Sequence, residues 1–331
     1  MSIKKNIKLS MLFFVGLFCY KQTMGQQEPQ YTQFMYNKLP MNAGYTGARE
    51  VLSIRALYRN QWTGIDGAPK TTSISIHSPF KREHFALGGF IVNDRLGVTN
   101  QTWVDLTYAY RINLNQKTKL SIGINGGMLF YKSNITELDP NDPNDPAYTE
   151  NIQKILPDFG GGLYIYQPMF YVGIGVPNMI KSDISNNQDL VNNSIIAAHR
   201  SPHFFIMGGG VIPINDAFKI RPQYMGKTIF SKEQHAPWQN DFNLSFLIID
   251  RVNIGASYRT AFGNKNNGQQ LTNFDSFDAN LEVWPTKQLM IGYAYDHTLT
   301  KLGNYNKGSH EIILGYDVTK KIKKVDTPRY F

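Results

Sequence analysis

Apolar and polar residues alternate with period two along most of this chain, the signature of β-strands with two unlike faces. In one stretch Leu120, Ile122, Ile124, Met128 and Phe130 share a face, while Ser121, Gly123, Asn125 and Gly127 fall on the other. Val104, Leu106, Tyr108, Tyr110 and Ile112 oppose Asp105, Thr107, Ala109 and Arg111. The same reading holds for Val252–Tyr258 against Arg251–Arg259, for Leu289–Tyr295 and for Ile312–Val318. Segments of strand length fall near 51–60, 70–78, 84–93, 101–112, 118–131, 157–167, 169–177, 203–213, 217–226, 241–249, 251–260, 275–284, 288–297 and 309–318. These predict about 14 strands, an even number as single-chain bacterial barrels require.

The alternation has two readings. In a soluble sandwich the apolar face is a dry core and the polar face meets solvent. In a transmembrane antiparallel β-barrel the apolar face meets lipid, the polar face lines the lumen, and aromatics mark both interfaces. Uniform strand lengths and charges on the polar face favour an all-β outer-membrane barrel. Pairs such as Tyr58-Arg59, Tyr110-Arg111, Tyr258-Arg259, Tyr295-Asp296 and Tyr316-Asp317 read as girdle aromatics beside polar positions. Connections near 81–83, 167–168 and 250–251 read as short periplasmic turns. Longer ones at 132–156, 178–202, 227–240 and 261–274 read as extracellular loops or a lumen cover. Two segments lie outside the 49–318 barrel: an irregular stretch at 26–48, periplasmic or lumenal, and a basic tail at 319–331.

The chain start modifies this picture. Lys4, Lys5 and Lys8 precede a short apolar run, Leu9 to Tyr20, and Thr23-Met24-Gly25 supplies small residues for cleavage. A signal peptide over 1–25 is expected, leaving Gln26 as the mature start. The run is shorter than the roughly 20 residues needed to span a bilayer. Phe18 before Cys19 argues against a lipoprotein. Cleavage removes that single cysteine, and with it thiol chemistry and disulfides. Losing the leader's four lysines lowers the net charge from +9 to +5, too mild a surplus for a nucleic-acid reader.

Candidate chemistry is sparse. The tract Asp139-Pro140-Asn141-Asp142-Pro143-Asn144-Asp145-Pro146 spaces carboxylates closely, as a Ca²⁺ loop does, but lacks the glycine and terminal Glu and reads as successive turns. The seven histidines show no metal-binding spacing, and no Gly-x-Ser-x-Gly is present. Neither a catalytic group nor a cofactor or metal site is expected. The glycine groups Gly88-Gly89, Gly126-Gly127, Gly160–Gly162 and Gly208–Gly210 have no strand-to-helix context for phosphate and suit strand bending or close packing in the lumen.

Several stretches resemble the PorP/SprF family of outer-membrane proteins of the type IX secretion system in Bacteroidetes. The most specific is Tyr58-Arg59-Asn60-Gln61-Trp62-Thr63-Gly64-Ile65-Asp66-Gly67-Ala68-Pro69-Lys70-Thr71. Pro29-Gln30-Tyr31-Thr32-Gln33-Phe34-Met35-Tyr36-Asn37, Asn93-Asp94-Arg95-Leu96-Gly97, Gly292-Tyr293-Ala294-Tyr295-Asp296 and the ending Pro328-Arg329-Tyr330-Phe331 are similar to it as well. Asn42-Ala43-Gly44-Tyr45 stands where the family often has Asn-Pro-Ala-Tyr. The resemblance implies a non-enzymatic barrel that partners secretion or surface retention of large proteins carrying a C-terminal sorting domain, with the branch serving gliding motility nearest in kind. Expected partners are that sorting domain, components of the secretion and gliding machinery, and outer-membrane lipid. Candidate contact residues are Tyr58, Arg59, Asn60, Gln61, Trp62, Gly64, Asp66, Gly67, Pro69, Lys70, Arg329, Tyr330 and Phe331. The alternative is a passive or selective outer-membrane channel, since about 14 strands could enclose a pore.

Overall fold

The computed structural model describes residues 28–80, 84–139, 150–184, 199–229, 237–266 and 269–318. Fourteen strands form one closed antiparallel barrel. They are β1 Leu52–Asn60, β2 Lys70–Pro79, β3 Phe85–Leu96, β4 Thr99–Asn113, β5 Lys119–Ser133, β6 Ile152–Gln167 and β7 Phe170–Val176. The second half adds β8 His203–Gly210, β9 Phe218–Ile229, β10 Trp238–Ile248, β11 Val252–Asn266, β12 Gln269–Val283, β13 Leu289–Thr298 and β14 Ser309–Val318. Each pairs with its neighbour in sequence, and β1 closes the ring on β14 from Leu52↔Val318 to Asn60↔His310. Closure leaves no lateral edge through the membrane, the condition under which a sheet survives in lipid. No helix among the described residues is long and apolar enough to cross a bilayer.

The faces are inverted relative to a soluble protein. On β2, Ser73, Ser75 and His77 point inward and are buried, while Ile74 and Ile76 point outward. Leu87, Ile91, Leu106, Ile124 and Leu244 continue the exposed apolar belt around the wall. Arg55, Arg59, Arg111, Arg221 and Arg259 are all buried on the inner face. In each Tyr-charge pair singled out above, the charged member is the lumenal one.

Strand alternation sorts the connections by end. Segments 61–69, 97–98, 134–151, 177–202, 230–237, 267–268 and 299–308 join strands at one end, here called the mouth. Segments 80–84, 114–118, 168–169, 211–217, 249–251 and 284–288 join them at the other, where β1 begins and β14 finishes. The expected short turns therefore share one end. One of them is a hairpin turn with Ile249 and Asp250 both at φ 51 and the Arg251 N–H donating to the Ile248 carbonyl.

The expected loop 261–274 is largely strand, and 132–156 is strand at both its ends. Residues 261–274 continue β11 and β12 as a paired hairpin, with Asn264↔Leu271 and Asn266↔Gln269 in register. Register shifts at Arg259/Thr260 and Ala261/Asn264 interrupt the period-two pattern there, so the sequence hides the strands. Within 132–156, β5 runs on to Ser133 and β6 starts at Ile152. The leader 1–25, most of the Asp-Pro tract and the tail 319–331 lie outside the described residues.

Candidate functional site

Residues 30–48 run inside the barrel and are buried throughout. This plug has two single-turn 3-10 helices, Phe34–Tyr36 and Ala43–Tyr45, the second capped by the Asn42 side chain accepting from the Gly44 N–H at 2.8 Å. Its apolar residues Phe34, Met35, Leu39 and Met41 join Trp103, Tyr164, Tyr171 and Met207 of the wall in one cluster. Polar plug residues meet the polar inner wall, the Asn37 amide donating to the Ser73 hydroxyl at 3.2 Å and the Gln33 amide to the Glu311 carbonyl at 3.4 Å.

One wall holds the plug by charge. The Glu311 carboxylate accepts the backbone N–H of Thr32 at 2.8 Å and of Gln33 at 2.7 Å. Arg59 donates to Asp296 at 2.9 Å, lies 3.5 Å from Glu311 and also donates to the Thr32 hydroxyl. Arg259 bridges Asp241 and Asp296 and reaches the Tyr31 carbonyl at 3.4 Å. Deeper, Arg221 donates to the Tyr36 hydroxyl at 2.8 Å, and that hydroxyl faces Glu282 at 3.4 Å. At the terminal end Asp317 takes Arg49 at 2.5 Å and Arg55 at 2.9 Å. At the other extremity Arg200 pairs with Asp158 at 3.0 Å and Glu28 at 3.4 Å. Burial raises the Glu28 carboxyl pKa, and Arg200 draws it partly back.

The opposite wall holds the plug by shape. A Cβ on Gly123 would stand 2.2 Å from the Ala43 carbonyl, one on Gly175 2.2 Å from the Met41 carbonyl, and one on Gly162 2.0 Å from Asn42 Oδ1. Glycine at these positions lets backbone lie on backbone. Asn42 Nδ2 donates to the Leu163 carbonyl at 3.1 Å in the gap so formed. Lys38 sits beside this wall with its ammonium 4.1 Å from the Tyr171 ring centroid. Burial pushes its pKa well down, assisted by the like charges of Arg221, Arg49 and Arg55.

Little room is left between plug and wall near Glu28. A cavity bounded by Tyr31, Met41, Trp103, Asp158, Arg200 and Phe205 measures about 20 Å³, enough for a single water. Among the described residues no group of three His, Cys, Asp or Glu could hold a metal ion.

The signature stretch spans the lumen and the mouth. Tyr58 faces outward at the end of β1, next to buried Arg59, and Asn60 closes the strand. Gln61 is buried and its N–H donates to the Pro69 carbonyl at 2.9 Å. Trp62 adopts φ 50, Gly64 φ 96 and Gly67 φ 73, and Asp66 is exposed between the glycines. This loop ties neighbouring hairpins together. Thr63 N–H donates to Gly308 at 2.8 Å, Lys307 N–H to Thr63 at 2.8 Å, and Gly97 N–H to Gly67 at 2.8 Å. Lys70 is exposed at the start of β2, and Arg329, Tyr330 and Phe331 lie outside the described residues. Trp238, within the expected loop 227–240, opens β10, with its indole N–H donating to the Tyr224 hydroxyl at 3.1 Å.

Sequence reasoning did not single out the plug contacts. Glu311, Arg259 and Asp296 carried the signal of charge on an alternating face, but their partners lie hundreds of residues away. Gly162 lies in a glycine group expected to bend a strand or pack closely in the lumen, whereas Gly123 and Gly175 gain meaning only once Ala43 and Met41 are seen against them.

Solved structures align with the chain at low identity and low TM-score. KdgM porin aligns at 9% identity over 81% of this chain and 99% of its own, with a TM-score of 0.37. Omp33 of Acinetobacter baumannii aligns at 8% identity over 81% and 98%, with a TM-score of 0.41. BamA of Haemophilus ducreyi aligns at 9% identity over 81% and 70%, with a TM-score of 0.42. No curated protein matches as a relative. Residues 23–316 match the family described as "Type IX secretion system membrane protein PorP/SprF", a span that contains the plug and nearly all of the barrel. The chain belongs to the PorP/SprF family and is an outer-membrane β-barrel of type IX secretion.

Proposed function

We propose that this barrel is a non-enzymatic partner protein that helps deliver or retain large surface proteins bearing a C-terminal sorting domain, a gliding adhesin among the candidates. The observation that carries this reading is the lumen filled by the chain's own residues 30–48, tied to the wall by ion pairs and by glycine-backed contacts. A barrel so packed has no evident use for its interior as a pathway, which leaves its ends for work. The end where β1 begins and β14 finishes faces the periplasm in this reading, and the mouth, where Glu28 meets Arg200, faces the cell exterior. Cleavage after Gly25 would start the mature chain at Gln26, a few residues before the plug enters the lumen.

The experiment is proteomics of the cell surface and spent medium after deleting the gene. Loss of one or a few large sorting-domain proteins supports a dedicated partner. Loss of all such proteins supports a core component instead. An unchanged secretome sinks the secretion role. The basic tail, Lys320, Lys321, Lys323 and Lys324, is assigned to contact with the periplasmic machinery. Removing 319–331 should weaken co-purification of that machinery while the barrel still inserts, and intact co-purification would refute the assignment.

A further inference from the structure

The outward face of β2–β5 changes character in three steps towards the mouth. Ile74 pairs with Ile91, Ile91 with Val104 and Val104 with Met128, and all four side chains are exposed. One pleat nearer the mouth on the same face, the register row is Thr72, Asn93, Thr102 and Phe130. The next row is Lys70, Arg95, Asn100 and Lys132, and all four are exposed. An apolar row is followed by a largely neutral polar one, and then by a row of three cations that contains no carboxylate.

For a bare sheet this is an unfavourable arrangement. Lys70 and Arg95 stand directly opposite each other on neighbouring strands, where like charges destabilise the pairing. Among the described residues neither of them, nor Lys132, forms an ion pair with a carboxylate. Asp94 faces inward and accepts from the Thr71 hydroxyl at 2.6 Å, Asp105 is buried, and Asp66 in the loop above pairs with neither cation. At the other end of the barrel Lys119 and Lys219 do meet carboxylates, those of Glu50 and Asp250. Asn100 adds to the donors. Its Oδ1 accepts from Asn93 at 2.6 Å, which turns its own Nδ2 away from that contact. Lys70, Arg95 and Asn100 thus present N–H donors side by side, a set that suits an anion with several oxygens.

The height of the row identifies what carries that anion. Lys70 lies nine residues from Pro79 at the far end of β2, and Arg95 ten from Phe85 at the far end of β3. At about 3.3 Å per residue and a tilt of about 40°, both stand roughly 23–25 Å above the turn, at the upper rim of an apolar band about 25 Å tall. Lipid headgroups begin there. Acyl chains lie directly below, against the Ile74 row and against exposed Ile76, Leu87 and Leu106. A free anion would make no use of that apolar floor. Lys132 stands two strands on from Arg95, about 10 Å along the sheet, within reach of a second phosphate on the same headgroup.

We propose that the outward face at the mouth end of β2–β5 binds a phosphorylated glycolipid of the exterior leaflet. One phosphate sits between Lys70 and Arg95 with the Asn100 amide beside it, and a second meets Lys132. The acyl chains lie on Ile74, Ile91, Val104 and Met128. The bound phosphate turns a repulsive cross-strand pair into a clamp, because each cation then faces a shared anion. The leaflet follows from the orientation adopted above, with the mouth outward. The phosphate contacts depend neither on that orientation nor on the secretion role.

Native mass spectrometry of the purified, detergent-solubilised barrel tests this with three probes: lipid A carrying both phosphates, the same lipid A stripped of them, and inorganic phosphate. The phosphorylated lipid should be retained as a one-to-one adduct and the stripped lipid should be lost. Each cation beside an anionic headgroup is worth about fivefold in affinity, so Lys70→Gln combined with Arg95→Gln should weaken retention about thirtyfold. Lys117→Gln combined with Lys287→Gln makes the same charge change in the exposed turns at the opposite end and should leave retention unchanged. All four substitutions fall on exposed side chains, so the barrel should keep its folded, heat-modifiable migration. No adduct with phosphorylated lipid A, equal retention of the stripped lipid, equal loss in the opposite-end variant, or displacement of the lipid by inorganic phosphate would each overturn the proposal.

Discussion

The plug is held between two walls that work differently. Towards β5, β6 and β7 it lies backbone against backbone on Gly123, Gly162 and Gly175, with one asparagine amide filling the gap. Towards β1 and β10–β14 it meets Arg59, Arg259, Asp296 and Glu311, joined through charged hydrogen bonds. Shape complementarity is indifferent to charge but intolerant of a single added carbon. An ionic wall tolerates small shifts but loses much when one partner leaves a buried charge unmatched. The combination fixes both where the plug sits and how firmly it is held.

The comparison can be broken most severely from the glycine side. Gly123→Val puts a branched side chain where the Ala43 backbone stands, a clash worth more than about 3 kcal/mol because neither backbone can yield. The plug should leave the lumen and become open to protease, while the barrel still inserts. On the ionic wall, Glu311→Ala removes the acceptor for Thr32 and Gln33 and one counter-charge of Arg59. It should weaken plug docking by about 2 kcal/mol, read as faster amide exchange at Thr32 and Gln33. Arg49→Met should cost least, about 1 kcal/mol by the same exchange readout, because Arg55 still covers Asp317 at 2.9 Å. If Glu311→Ala proved more damaging than Gly123→Val, the division of labour between the walls would be wrong.

The barrel was legible in the sequence because its signal is local. A strand with lipid on one face and polar lumen on the other repeats every two residues, and Ser73, Ser75 and His77 against Ile74 and Ile76 declare themselves without knowledge of any partner. The pattern failed where register shifts break the period, in 261–266 and 269–274, and where the upper part of β6 has no clean polar face, around Ile155 and Pro157. The lumenal contacts were not legible. Thr32 and Glu311 are 279 residues apart, and nothing near either announces the other. Arg59 stood within a family signature, but its role in holding the plug comes from Asp296 and Glu311 across the barrel seam.

The central claim is that the lumen is sealed by the chain's own N-terminal segment, so that the protein works through its ends. Planar-bilayer conductance of the purified barrel tests it most directly, with the chain lacking residues 28–49 measured in parallel. The account predicts silence from the full barrel and stable openings once the segment is gone. A steady open pore from the full barrel would contradict it and return the protein to the role of a channel.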